Sequence, residues 1–201
     1  MSTLKVDTIL KRTGTGTITV GQSGDTISVP SGATLNVAGS SITAADMGPA
    51  FEAFSTSDQA VNDNTTTKVQ CGSEVYDSDS AYDNSTNYRF TPQTAGKYFC
   101  YGQVFVETPA QGGGTGATLL RQPTSLIYKN GAAVGACQNN FIDNQIKQFT
   151  ATVSTVIDFN GSTDYVELYL YFDADGGATG SIEGHASQRR TMFGAYRILG
   201  V

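Results

Sequence analysis

The chain has 201 residues, 23 of them glycine, and a formal net charge of −6. That length holds one or two domains with a sizeable core. The acidic balance argues against nucleic acid as a partner and against adhesion to an anionic membrane by charge alone. Residues 1–48 carry three basic and three acidic groups, so the imbalance lies wholly in residues 49–201, with nine basic and fifteen acidic. Abundant Gly, Thr, Ser, Val and Tyr favour short strands and turns over helices.

Residues 1–12 alternate. Leu4 and Val6 share one face, Lys5 and Asp7 the other, and Ile9 extends the apolar set. This is the pattern of a half-buried strand whose own segment offers no core, so its apolar side must be covered by another chain or protein. Residues 13–48 form a degenerate repeat and linker. Ile18 and Val20, Ile27 and Val29, then Leu35 and Val37 recur as apolar–polar–apolar units, punctuated by Gly16, Gly24, Gly32 and Gly39. One such unit buries two side chains and does not stand alone. Three chains about a common axis would turn those six residues inward as the core of a β shaft. Gly48-Pro49 breaks the repeat and marks the boundary of a head spanning 49–201, with Phe51 and Phe54 at its start.

Within the head, strands are expected near 51–56, 66–76, 87–91, 97–106, 125–129, 133–141, 147–158, 163–173 and 189–199. The stretch Tyr82-Asp-Asn-Ser-Thr-Asn-Tyr-Arg-Phe-Thr-Pro-Gln-Thr-Ala-Gly-Lys-Tyr-Phe-Cys-Tyr101 reads as loop, short strand, turn and long strand. The order of Phe90, Gly96, Tyr98 and Tyr101 resembles the signature of the C1q and tumour-necrosis-factor jelly-roll superfamily. Three later stretches are similar in the same order: Leu126 to Gly131, Asp158 to Leu168, and Phe193 to Leu199. Cys100 departs from the family pattern, which usually has Phe there. The opening residues and the Thr/Gly repeats resemble the N-termini of fibre structural proteins of tailed bacteriophages, notably marine ones. The combined expectation is an all-β chain: a short β-repeat trimeric shaft followed by a C1q/TNF-like antiparallel jelly-roll sandwich, as a homotrimer.

Two strands bear on assembly. From Tyr165 to Phe172 one face carries Val166, Leu168, Leu170 and Phe172, and the other Tyr165, Glu167, Tyr169 and Tyr171. From Lys97 to Glu107 one face carries Tyr98, Cys100, Val104 and Val106, and the other Phe99, Tyr101 and Phe105. A sheet with one wet face alternates apolar with charged residues. Fully burying one aromatic is worth up to about 3 kcal/mol, so these outer faces call for cover. Phe99, Tyr101, Phe105, Tyr165, Tyr169 and Tyr171 are therefore the candidate trimer-interface residues, an arrangement that the C1q resemblance also implies.

Chemistry is sparse. His185 is the single His, and no Ser sits in a nucleophile-elbow pattern, so a hydrolase triad is not expected. Cys71, Cys100 and Cys137 lack zinc-ligand spacing, and the first two read as small buried hydrophobes in a reducing compartment. Asp77, Asp79 and Asp83, and separately Asp173 and Asp175, suit a hard cation such as calcium, but the spacing fits solvated turns better. Arg189 and Arg190 are adjacent in a late strand and are expected on opposite faces. Neither a cofactor nor an enzymatic activity is expected. No secretory signal is visible, and no run approaches the roughly 18 apolar residues of a membrane span.

The function expected is that of a bacteriophage virion structural protein assembled in the host cytoplasm. Leu4, Val6 and Ile9 would anchor it to another virion protein. The shaft would project a knob that makes multivalent adhesive contact with a host surface glycan or protein, as a tail fibre or as a capsid head fibre or decoration. The alternatives are a bacterial C1q-like binding module unrelated to phage, and a capsid decoration without receptor binding.

Overall fold

The structure is a computed structural model that describes residues 47–108, 119–177 and 179–198, with Val20, Gln22, 24–26 and Ser31. The chain divides into two units, Met1–Ala44 and Ala45–Val201. In the first, the described residues show a turn in which Gln22 N–H donates to Asp25 Oδ2 at 2.6 Å. The expected anchor residues Leu4, Val6 and Ile9 lie outside the described residues, as do Ile18, Ile27, Val29, Leu35 and Val37 of the expected shaft core. Val20, the remaining member, is 61% exposed in the single chain.

Among its described residues the second unit is all-β apart from one 3-10 turn. Its strands are β1 (Ala50–Phe54), β2 (Gln59–Val61), β3 (Thr65–Lys68), β4 (Ser73–Asp77), β5 (Tyr82–Asp83), β6 (Arg89–Phe90), β7 (Gly96–Glu107), β8 (Thr124–Lys129), β9 (Ala132–Gln138), β10 (Gln148–Phe159), β11 (Val166–Phe172), β12 (Gly180–Ile182) and β13 (Met192–Arg197). Every pairing is antiparallel. One sheet runs β2-β12-β7-β13-β1-β4, with β10 on the other edge of β7. The second runs β5-β6-β11-β8-β9, with β3 also on β11. The frame of the first sheet is the β7–β10 ladder, in register from Gly96↔Phe159 to Glu107↔Gln148.

The core lies between the sheets and follows from period-2 alternation. Tyr98, Cys100, Val104 and Val106 of β7 meet Val166, Leu168, Leu170 and Phe172 of β11, and all eight are fully buried. One end of the core is aromatic. Phe51 stacks on Tyr82 and Phe90 at ring distances of 4.4 and 4.6 Å, and Tyr98 meets Phe159 edge-on at 4.9 Å. Aromatic pairs of this kind add about 0.5–1.5 kcal/mol beyond area burial. Gly102 is required where the sheets touch, because a Cβ there would lie 2.4 Å from Leu168 Cδ1.

The structure revises several expected elements. The single strand expected at 66–76 is two: β3 belongs to the second sheet and β4 to the first, with Gln70–Gly72 carrying the crossing. The strand expected from 163 begins at Val166, because Asn160 Oδ1 accepts the N–H groups of Ser162, Thr163 and Asp164 and closes a turn. The strand expected from 189 begins at Met192. Arg189 and Arg190 sit in the preceding loop, where strand alternation does not apply, and both reach toward the outer side of the first sheet. The short strands β2 and β12 were not anticipated.

Candidate oligomer interface

The six aromatic residues singled out as interface candidates fall into two groups. Phe99, Tyr101 and Phe105 point outward from the first sheet, and Tyr165, Tyr169 and Tyr171 outward from the second. The sandwich sets the two groups back to back, so they do not form one surface.

On the first sheet, register builds a continuous apolar belt. Val156, Phe99 and Tyr196 sit side by side on β10, β7 and β13. The next outward row brings Ser154, Tyr101 and Gly194 together. The Phe99 ring is 6.0 Å from Tyr101 and 5.6 Å from Tyr196. Tyr101 lies flat over Gly194, where a Cβ would come 2.4 Å from the Tyr101 ring, so only glycine seats it. Its hydroxyl donates to Glu52 Oε2 at 2.9 Å, and Arg189 pairs with Glu52 Oε1 at 2.6 Å. Burial, then the hydrogen bond to the Glu52 carboxylate, push the Tyr101 phenol far above its ordinary pKa. Val156 is 52% exposed, and Tyr76, opposite Glu52 on β4, is 44% exposed. An open groove of about 560 Å3 runs along Phe99, Tyr101, Gln103 and Met192, across Thr152 and Ser154 of β10, to Ala136 and Cys137 of β9. Phe105 sits at the rim, with the Arg190 guanidinium 5.6 Å from its ring centre.

On the second sheet, the tyrosines have partners within their own chain. Arg89 lies over Tyr165 at 4.7 Å and Lys68 over Tyr169 at 5.8 Å. Tyr128 stacks against Tyr169 at 4.3 Å. The Tyr169 hydroxyl donates to Glu167 Oε2 at 3.2 Å, Lys68 pairs with Glu167 Oε1 at 2.5 Å, and Tyr171 donates to Asn64 Oδ1 at 3.0 Å. Burial, then the Glu167 charge, raise the Tyr169 phenol to about 12. Tyr165, Tyr169 and Tyr171 are thus each capped by a cation or a hydrogen bond. Sequence alternation identified both faces but could not reveal the caps, because Lys68, Arg89 and Asn64 come from remote strands and turns.

The remaining candidate groups serve the scaffold. Cys71 and Cys100 are fully buried free thiols, each raised to about 12 by burial, and Cys137 is a free, partly exposed thiol. The Asp77 carboxylate accepts the N–H groups of Ala81 and Tyr82. Asp83 accepts those of Ser85, Thr86 and Asn87, and these bonds, led by Thr86, hold its carboxyl well below the usual range. Asp173 differs from the solvated turn expected: it is buried, with Arg121 3.7 Å away. Among the described residues no three Asp, Glu, His or Cys groups converge as metal ligands. His185 is a loop residue whose Nδ1 accepts the N–H groups of Ser187 and Gln188 at 3.1 and 3.0 Å. No helix among the described residues is long and apolar enough to cross a membrane.

Comparison with known proteins bears on the fold. The chain is similar to murine APRIL, with a TM-score of 0.50 and 13% identity over 74% of this chain and 98% of that one. It is similar to Eiger TNF from S. frugiperda, with a TM-score of 0.50 and 8% identity over 76% of this chain and 93% of that one. The globular domain of zebrafish complement 1qA protein aligns at a TM-score of 0.48 and 10% identity, over 75% of this chain and 97% of that one. The second unit has a TNF-like jelly-roll fold. No protein-family model and no curated protein matches the chain.

Proposed function

We propose that the protein is a bacteriophage virion structural protein: a short homotrimeric fibre whose jelly-roll knob makes multivalent adhesive contact with the host surface. The observation that carries the assembly part is the outer face of the first sheet. Its row of Val156, Phe99 and Tyr196 has no cation or hydrogen-bonding side chain over it among the described residues, unlike Tyr165, Tyr169 and Tyr171 of the second sheet. Identical copies packing on this belt supply the missing partners, and Tyr165, Tyr169 and Tyr171 then stay at the outside.

The path of the chain is consistent with this. It enters the head at Met47, whose carbonyl accepts the Arg197 N–H at 3.0 Å, and Ala50 pairs with Tyr196. Met47 therefore lies next to the end of β13 that carries Tyr196. Three copies assembled on the Phe99–Tyr196 row would bring their Met47 residues to the same side, which suits a common shaft. The phage assignment rests on the sequence resemblance of residues 1–43, and the role of residues 1–12 as the anchor follows from it. Three weak sites per knob and many knobs per particle raise avidity through effective concentration.

Light scattering on the purified chain tests the assembly: a mass of three chains at micromolar concentration is expected, and a stable monomer overturns it. Immunogold labelling of whole particles is expected to place the protein on the virion, at the head or at the tail. Binding of the free knob to host cells separates adhesion from decoration alone.

A further inference from the structure

Away from both sheet faces, a polar hollow of about 200 Å3 opens between the β1–β2 turn, the β3–β4 connection and Tyr88. It shares no lining residue with the aromatic groove. Its walls are held from behind. Asp58 Oδ1 accepts the Gly184 N–H at 3.0 Å. Gln59 is clamped at both ends, donating to the Lys68 carbonyl at 2.7 Å and accepting the Gln70 N–H at 3.0 Å. The second carboxylate oxygen of Asp58, the Gln70 side-chain amide and the hydroxyls of Ser57 and Tyr88 have no hydrogen-bond partner among the described residues.

Tyr88 has a φ of +49°, a left-handed conformation that a bulky aromatic seldom adopts. The loop before it explains how the strain is imposed. Asp83 binds the N–H groups of Ser85, Thr86 and Asn87 and the Asn87 side chain, while Lys68 Nζ donates to the Asn87 carbonyl at 3.1 Å. With Asn87 fixed from two sides, Tyr88 must absorb the turn into β6. Its ring lies beside Gly72, where a Cβ would come 3.9 Å from Tyr88 Cε1. Backbone strain held in place by surrounding bonds gathers at ligand-binding positions.

We propose that this hollow is a subsite for one neutral sugar ring. Tyr88 is the stacking surface, and Asp58 and Gln70 are the hydroxyl partners. A sugar presents a C–H face that packs on an aromatic ring and a rim of hydroxyls that both donate and accept. The free groups here match that rim: a carboxylate oxygen accepts, and an amide and two hydroxyls do both. Asp58 is the only charged lining residue, so it disfavours uronic and sialic acids. The biological use of the subsite rests on the adhesive reading above; its chemistry does not.

Saturation-transfer NMR on the full chain provides the test, with glucose, galactose, mannose and N-acetylglucosamine as probes and glucuronate as the acidic control. Transfer to at least one neutral sugar is expected, and none to glucuronate. Tyr88→Gly should keep or raise Tm, because glycine accepts a positive φ without strain, yet weaken sugar binding about tenfold or more. Asp58→Asn should weaken it less and admit glucuronate. The proposal is overturned if no neutral sugar shows transfer, or if transfer survives Tyr88→Gly at full strength. If soluble sugar binds at Tyr88 but the knob binds no host cell, the subsite stands and the adhesive reading falls. If the knob binds cells and Tyr88→Gly leaves that and the sugar signal unchanged, the subsite falls alone.

Discussion

The two outer faces of this sandwich have similar aromatic content and opposite local chemistry. On the second sheet, every outward tyrosine of the β11 segment meets a cation or a hydrogen-bonding side chain brought in from another strand or turn. On the first, Phe99, Tyr196 and Val156 meet one another and open space, and the partly buried Glu52 carboxylate is taken up by Tyr101 and Arg189. Aromatic content alone therefore does not mark an interface. What distinguishes the faces is one row: Val156, Phe99 and Tyr196 have neither a cation nor a hydrogen-bonding side chain over them among the described residues, whereas Tyr101 and Phe105 beside them are held by Glu52 and Arg190.

The largest effect should come from a charge placed in the uncapped belt. Phe99→Asp is expected to convert the proposed trimer to monomer, costing about 3 kcal/mol or more at each contact where a carboxylate is buried unpaired. Light scattering reads the mass, and circular dichroism checks that the sandwich persists. Tyr169→Asp, the matched change on the other face, should leave the mass unchanged; equal dissociation by both variants would erase the distinction.

Next in size is Glu167→Ala. It removes the carboxylate partner of Lys68, leaving that ammonium only the Asn87 carbonyl, and removes the Tyr169 hydroxyl's partner. Because Lys68 is about a third exposed, solvent offsets part of the loss, and about 2 kcal/mol is expected from urea unfolding. Assembly should be unaffected. Gly194→Ala should show the reverse profile: the new methyl displaces the Tyr101 ring, weakening assembly by about 1–2 kcal/mol as overpacking does. Dilution-dependent light scattering would detect it.

Acid should act first on the loops bordering the second sheet. Hydrogen bonds from backbone N–H groups lower the Asp83 pKa, and bonds from Lys129 and then Asn130 lower that of Asp164, both from an ordinary 3.8. A carboxyl depressed by folding contributes stability above its unfolded pKa and loses it as pH falls through the folded value. Stability should therefore decline from about pH 4 downward, and Asp164→Asn should flatten that slope in thermal melts. The smallest effect is a rate. Cys71 and Cys100 should resist thiol reagents until unfolding, whereas Cys137, at the end of the groove, should react slowly in the proposed trimer and faster in Phe99→Asp.

Much of this was legible in the residues. Strict alternation in Lys97–Glu107 and Tyr165–Phe172 fixes which side chains face the core, since a pleated strand allows no other choice. The turn residues of 82–96 and the order of aromatic positions pointed to the jelly roll. Three things were not legible. The break at Gln70–Gly72 hides inside a β-rich run, because only pairing shows that β3 and β4 join different sheets. Arg189 and Arg190 read as strand residues, although the loop in which they lie is held by His185 and Thr191. Tyr88 gave no sign, because its positive φ is imposed by Asp83 and Lys68, which act through space.

Met47 and Ile198 leave the sandwich side by side, each bonded to the neighbouring strand end, through Arg197 N–H to Met47 and Ile198 N–H to the Lys97 carbonyl. A peptide grafted at Ile198 would start close to Met47. Cargo intended for display belongs instead in the exposed turn around Asn144, beyond the opposite end of the β7–β10 ladder, where it would project freely into the surroundings.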